Sequence, residues 1–187
     1  MMIELISKSS NFTRMLGSLF TRVFSSQDTI LLSGELGAGK TTFISGIAEG
    51  FGLKENLSSP SFTILNIYRI SGKKKLVHAD FYRLNTIDEI LNAGIEDYLY
   101  DRNSYVCIEW GDTIREYLMV NFLEIRFNYC LENNEEDLST GSKDIFNGIQ
   151  TVSGTEQKRQ ILFESANRYW NKKLELFNHM LLKIKKY

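Results

Sequence analysis

The chain has 187 residues, 43% hydrophobic and 24% charged, with a formal charge of −1. That is enough apolar material for one sizeable core with extra segments, and too much for a disordered chain. The near-neutral charge removes the whole-domain basic signature of a protein that grips nucleic acid unaided; two cysteines make neither a disulfide framework nor a zinc knuckle; and no stretch approaches the roughly 18 apolar residues of a membrane span, so the cytoplasm is the expected compartment.

Ile3 and Leu5, flanked by Met2 and Ile6, predict a short first strand. Ser9 or Ser10 can cap the helix that follows, where Phe12, Leu16, Leu19 and Val23 recur at helical spacing. Residues 29–33 form a continuous apolar run of strand length that ends at Gly34. From Lys40 to about Gly50, Phe43, Ile44, Ile47 and Ala48 return to helical intervals, so the segment reads strand, glycine-rich loop, helix.

Serines and Pro60 mark a loop at 58–61, and the runs Phe62–Ile70 and Lys75–Ala79 around Ser71-Gly72-Lys73 predict an antiparallel hairpin. A short helix is expected from Thr86 to Ala93, with Thr86 and Glu89 as a capping box and Gly94 as its stop. Tyr105–Ile108 is an apolar strand ending at Glu109. Phe122–Tyr129 reads as a half-buried strand, with Asp144–Val152 its expected antiparallel partner across the acidic loop 132–143. From Thr155 onward the pattern is helical: Phe163, Ala166, Trp170, Leu174, Phe177, Leu181 and Ile184 share one stripe. Residues 155–187 carry eight Lys or Arg against three Glu, net +5, which leaves −6 on residues 1–154. The expected organisation is a nucleotide-binding domain over 1–154 and a basic amphipathic helical extension over 155–187 that packs on the domain or meets a partner.

Residues 34–41, Gly-Glu-Leu-Gly-Ala-Gly-Lys-Thr, match the eight-residue phosphate-loop pattern in full, in the strand-to-helix context that makes the motif informative. The backbone from Glu35 and Leu36 through Gly37, Ala38 and Gly39 can turn its N–H groups toward phosphate oxygens, and the helix behind it adds the positive end of its dipole. Lys40 is expected to reach the β and γ phosphates and Thr41 to offer its hydroxyl to Mg²⁺; Thr42 serves either a phosphate oxygen or the first helical turn. Hydrolysis also needs carboxylates at strand ends near the loop, and two fit: Asp80 for Mg²⁺ or its water shell and Glu109 for the water near the γ-phosphate, with the roles open to reversal. Trp110 is either a base-stacking or a half-buried aromatic, His78 a structural strand residue, and Cys107 a small buried hydrophobe. Arg83 faces a phosphate, a partner or a surface salt bridge.

The ordered set GELGAGKTT at 34–42, SSPSF at 58–62, HADFYRL at 78–84 and EWGD at 109–112 resembles the TsaE family, also called YjeE. The likeness runs from about residue 5 to about residue 130. The resemblance implies a small bacterial ATPase of tRNA threonylcarbamoyladenosine (t6A) biosynthesis, Mg²⁺-dependent and weak without partners. Such a protein does not modify tRNA itself but activates or resets the TsaB–TsaD pair, in which TsaD modifies adenosine 37. tRNA is then met only through the complex, and the chain alone is expected to be a monomer with no membrane contact.

By the same resemblance Lys40 and Thr41 are the phosphate-loop lysine and Mg²⁺ ligand, and Thr42 the second threonine. Asp80 is the acid of the DxYRL segment, Glu109 the hydrolytic glutamate, Trp110 the tryptophan beside the nucleotide, and loop 58–63 a switch. Ser61 stands where the family usually has threonine, Asp112 where it often has glutamate, and the C-terminal segment extends past the family's usual end. The expected fold is α/β, a three-layer P-loop NTPase-like arrangement with a mixed central sheet and an additional C-terminal helical segment. Competing readings are a P-loop small-molecule or nucleotide kinase, disfavoured by the acidic rather than basic segment 132–143, and a nucleotide-dependent adaptor with little turnover. No Asn-Lys-x-Asp segment is present, which favours ATP over GTP.

Overall fold

The computed structural model describes residues 1–54, 57–130 and 157–184. Strand β1 (Met2–Ser7) turns Ile3, Leu5 and Ser7 inward and leaves Met2, Glu4 and Ile6 exposed. Helix α1 (Ser10–Phe20) starts at Ser9, whose Oγ accepts the Phe12 N–H at 3.1 Å, the capping expected of a serine there. Strand β2 (Thr29–Gly34) is buried along its apolar length and runs through the loop into α2 (Lys40–Gly50). The hairpin follows as β3 (Leu65–Ser71) and β4 (Lys74–Asp80), and α3 (Ile87–Asn92) carries the complete Thr86–Glu89 capping box. After the short α4 (Glu96–Leu99) come β5 (Ser104–Glu109), β6 (Phe122–Tyr129), β7 (Arg159–Glu164) and α5 (Arg168–Ile184).

The seven strands of the described residues form one sheet in the order β1-β7-β6-β2-β5-β4-β3. β2 is parallel to both β5 and β6, and β4 is parallel to β5, while β3 and β7 run antiparallel to their neighbours. The sheet is therefore mixed, with the phosphate-loop strand at its centre. Helices cover both faces. On one, Phe20 of α1 meets Phe43 of α2 at 5.7 Å, Phe163 of β7 at 5.9 Å and Phe177 of α5 at 5.3 Å between ring centroids. On the other, Ile90 and Leu99 from α3 and α4 lie over Val77, Val106 and Ile108. Each such fully buried Phe, Leu or Ile contributes roughly 1.5–3 kcal/mol of burial free energy. No described helix is long and apolar enough to cross a membrane.

Two glycines set how closely the elements approach. A Cβ at Gly46 would lie 2.0 Å from the Arg14 carbonyl oxygen, so α2 rests on the backbone of α1. Gly34, at φ +126°, would put a Cβ 2.0 Å from the Phe127 carbonyl oxygen, and only glycine lets β2 bend into the loop against β6.

The C-terminal reading needs correction. The helix expected from Thr155 begins at Arg168, and Arg159–Glu164 is a strand inserted between β1 and β6, with six residue pairs on each side. Ile161 and Phe163 are buried at period two, and Phe163 reaches from a strand the same aromatic cluster that Trp170 and Phe177 reach from the helix. A stripe of helical spacing thus ran continuously across a strand and a helix. β7 is the antiparallel partner of β6 among the described residues; the expected partner at 144–152, and the loop 132–143, lie outside them. β3 also starts later than the expected Phe62, because residues 61–63 are turns.

Candidate functional site

The register of the sheet brings the two strand-end acids together. Asp80 and Glu109 end adjacent parallel strands as a direct pair, and Leu32, two residues before Gly34, pairs with Glu109 from the other side. Side chains two residues apart on a strand share a face. His78 and Asp80 on β4 therefore point to the same side as Cys107 and Glu109 on β5, toward α2.

The loop after Gly34 curls over this corner. The first helical bond of α2 is from Phe43 N–H to the Gly39 carbonyl at 2.9 Å, so the amides before it have no helical carbonyl to bond, and Gly39 at φ +109° supplies no side-chain cap. This is the geometry of an anion site, with open N–H groups at the positive end of a helix dipole.

The ammonium of Lys40 folds back onto its own loop. Nζ donates to the carbonyls of Gly34 at 2.7 Å and Glu35 at 2.9 Å and stands 4.1 Å from the centroid of the Trp110 ring. Burial pulls the Lys40 pKa below its ordinary value, while the charges of Glu109 and Asp80 pull the other way. Trp110 itself sits at φ +59°, a region a bulky residue rarely adopts, and packs 5.0 Å from Tyr82.

Thr41 Oγ1 donates to Glu109 Oε1 at 2.8 Å, and the same oxygen lies 2.8 Å from His78 Nε2. Asp80 faces the serine loop instead. Its Oδ2 accepts from Ser59 Oγ and, at 2.7 Å, from Ser61 Oγ, and its Oδ1 accepts the Tyr82 N–H at 3.0 Å.

These groups line a cleft of about 220 Å³. Of the residues singled out from sequence, Leu36, Gly37, Gly39, Lys40, Thr41, Thr42, Asp80, Glu109 and Trp110 all line it. Ala38 is buried behind the loop, and Glu35 is exposed, with only its carbonyl engaged by Lys40. Arg83 stands outside, its guanidinium 4.3 Å over the exposed Phe62 ring. Cys107 is fully buried, and burial together with Glu109 pushes its thiol pKa well up, as fits a small core residue. Sequence reasoning assigned no chemistry to Ser59 or to His78; the period-two relation of His78 to Asp80 was the available signal for the latter.

Among the described residues no cluster of three or more His, Cys, Asp or Glu side chains forms a metal cage. A Mg²⁺ site does not require one, since that ion prefers one or two carboxylates, water and substrate phosphates. The donor set fits: Thr41 spends its hydrogen on Glu109, which leaves its lone pairs for a cation, and two carboxylates adjoin it.

Comparisons with known proteins identify the chain's relatives. The sequence model of the family described as "Threonylcarbamoyl adenosine biosynthesis protein TsaE" matches residues 7–161. A tRNA threonylcarbamoyladenosine biosynthesis protein TsaE of Treponema pallidum is 32% identical over 131 residues, 70% of this chain and 95% of that protein. The protein of that name from Streptomyces coelicolor is 34% identical over 127 residues, covering 67% and 84% respectively. The crystal structure of Bacillus subtilis YdiB superposes with a TM-score of 0.67 over 96% of both chains at 24% identity, a likeness of fold. A complete phosphate loop, its two paired strand-end acids and a family match spanning β2 through β6 lead to one assignment: the chain belongs to the TsaE family of threonylcarbamoyl adenosine biosynthesis proteins.

Proposed function

We propose that this chain binds ATP with Mg²⁺ at the 34–42 loop and hydrolyses it as the accessory ATPase of t6A formation, activating or resetting a TsaB–TsaD complex in the cytoplasm. The observation that carries the reading is the Thr41–Glu109 hydrogen bond at 2.8 Å, which joins the phosphate loop to the acid at the end of β5.

In this reading the loop amides and the α2 N-terminus hold the phosphates, and Lys40 leaves the Gly34 and Glu35 carbonyls to meet the β and γ oxygens. Mg²⁺, when bound, neutralises charge on the phosphates. Thr41 and the two carboxylates would hold it and its waters. Glu109 keeps Oε1 on Thr41, and its Oε2, which has no hydrogen-bond partner among the described residues, is available to orient the attacking water. Asp80 supports the cation's water shell and tethers Ser59 and Ser61, so the serine loop can follow the state of the site. Trp110, already in contact with the Lys40 ammonium and, at a tilt of 57°, with the Tyr82 ring, forms one wall of the nucleotide site. tRNA is met only through the complex, and the weak turnover expected of the isolated chain is raised by partners.

Equilibrium binding of ATP and ADP with and without Mg²⁺, for the wild type and Lys40→Ala, tests the site. Mg²⁺-dependent binding that Lys40→Ala abolishes is the expected result. Binding that ignores both the cation and Lys40 would overturn it.

A further inference from the structure

Glu109 can place a water only if its own carboxylate is held still, and Thr41, the hydroxyl that grips it, also has a cation to serve. The second grip comes from β4. His78 is fully buried, Glu109 is 3% exposed, and Nε2 stands 2.8 Å from Oε1. An ionised carboxylate only accepts, so in this bond Nε2 carries the hydrogen. Among the described residues the other ring nitrogen, Nδ1, is buried without a hydrogen-bond partner, so no competing bond there turns the ring away from Glu109.

The neighbours of His78 on β4 are Leu76, Val77 and Ala79, all fully buried, and a buried imidazole among them has a desolvation cost that an aliphatic residue at the same place would avoid. What offsets that cost is a single hydrogen bond to an acid in a nearly dry environment, where such a bond is stronger than in water. We infer that His78 is a positioning residue for hydrolysis: its Nε2–H pins Glu109 Oε1 against Thr41 and leaves Oε2 to the water. The inference rests on the reading of Glu109 as the hydrolytic carboxylate.

The test compares His78→Leu, which removes the donor, with His78→Gln, whose side-chain amide can put an N–H close to where Nε2 stands. ATP hydrolysis in the presence of purified TsaB and TsaD is read beside ADP affinity and melting temperature. His78→Leu is expected to lose about tenfold or more in kcat, with KM and ADP affinity within about threefold of wild type, because a loosened carboxylate damages the reacting geometry rather than ground-state binding. His78→Gln is expected to recover most of that loss. Should His78→Leu fail to fold, His78→Asn, whose amide is too short to reach Oε1, takes its place.

Long-range ¹⁵N–¹H spectra of the nucleotide-free wild type give an independent readout, with the hydrogen expected on Nε2 and its resonance shifted in Glu109→Gln. Full kcat in His78→Leu, an equal loss in the Leu and Gln variants at wild-type melting temperature, or a hydrogen found on Nδ1 alone would each overturn the inference. A wild-type chain that binds ATP but never hydrolyses it overturns the reading of Glu109 instead, and the spectra still report on the bond.

Discussion

Lys40 Nζ lies 4.1 Å from the centre of the Trp110 ring while two of its three hydrogens go to the Gly34 and Glu35 carbonyls. The lysine that a phosphate would claim is thus parked on the indole beside it. Nucleotide binding that draws the ammonium onto phosphate changes the field at Trp110. The protein has one other tryptophan, Trp170, fully buried in the aromatic core away from the cleft. Intrinsic fluorescence is therefore expected to change on adding ATP in the wild type, and to stay constant in Trp110→Phe, where Trp170 alone reports.

Asp80 holds two serine hydroxyls and the Tyr82 amide on one carboxylate. Asp80→Ala removes the anchor of residues 59–61 without touching the core behind it. Hydrogen exchange at the Ile64 amide, which donates to the Pro60 carbonyl at 2.6 Å, is expected to rise at least about tenfold, as local opening becomes easier, with exchange in β4 and β5 unchanged. Equal protection in the variant would show that the loop is held by its backbone alone.

The basic C-terminal segment contains two adjacent lysines with different fates. Lys172 is exposed, whereas Lys173 is bonded to Asp28, a carboxylate at 3% exposure that also accepts from Tyr169 Oη at 2.6 Å. Burial and the neighbouring Asp28 charge push the Tyr169 pKa up, so this tyrosine stays a donor through the working pH range. Lys173→Glu sets two acids against each other and is expected to cost about 3–5 kcal/mol, whereas Lys172→Glu stays within about 0.5 kcal/mol in thermal or urea unfolding. Of the two, only Lys172 is a clean probe of a charged surface.

The crossing of α1 and α2 leaves no room for a methyl group at Gly46, 2.0 Å from the Arg14 carbonyl oxygen. Gly46→Ala gains helix propensity, yet the clash is with backbone and cannot be relieved by a rotamer. A net loss of about 1–3 kcal/mol is expected in urea unfolding. Because α2 begins at Lys40, the same variant should weaken nucleotide binding as the helix shifts.

The parts of the fold legible in the sequence are those whose signal is local. The β2-loop-α2 unit, the Ser9 cap, the Thr86–Glu89 capping box and the strand that stops at Glu109 each declare themselves within about ten residues. β7 did not, because what makes Arg159–Glu164 a strand is its insertion between β1, at the far end of the chain, and β6, and its apolar positions fitted a helical stripe as readily as an alternating one. The site showed the same division. The loop and its two acids could be named from sequence, since motif spacing and strand ends mark them. His78 against Glu109 and Ser59 on Asp80 are contacts between neighbours in space, and the first follows only from the register in which Asp80 pairs with Glu109.

The most direct test is ATP hydrolysis by this chain with and without its purified TsaB and TsaD, alongside Lys40→Ala and Glu109→Gln. The account predicts turnover that the partners stimulate, that Lys40→Ala loses together with nucleotide binding, and that Glu109→Gln lowers by about 10²–10⁴-fold while binding persists. No stimulation by the cognate partners, or a Glu109→Gln variant that hydrolyses ATP at the wild-type rate, would contradict it.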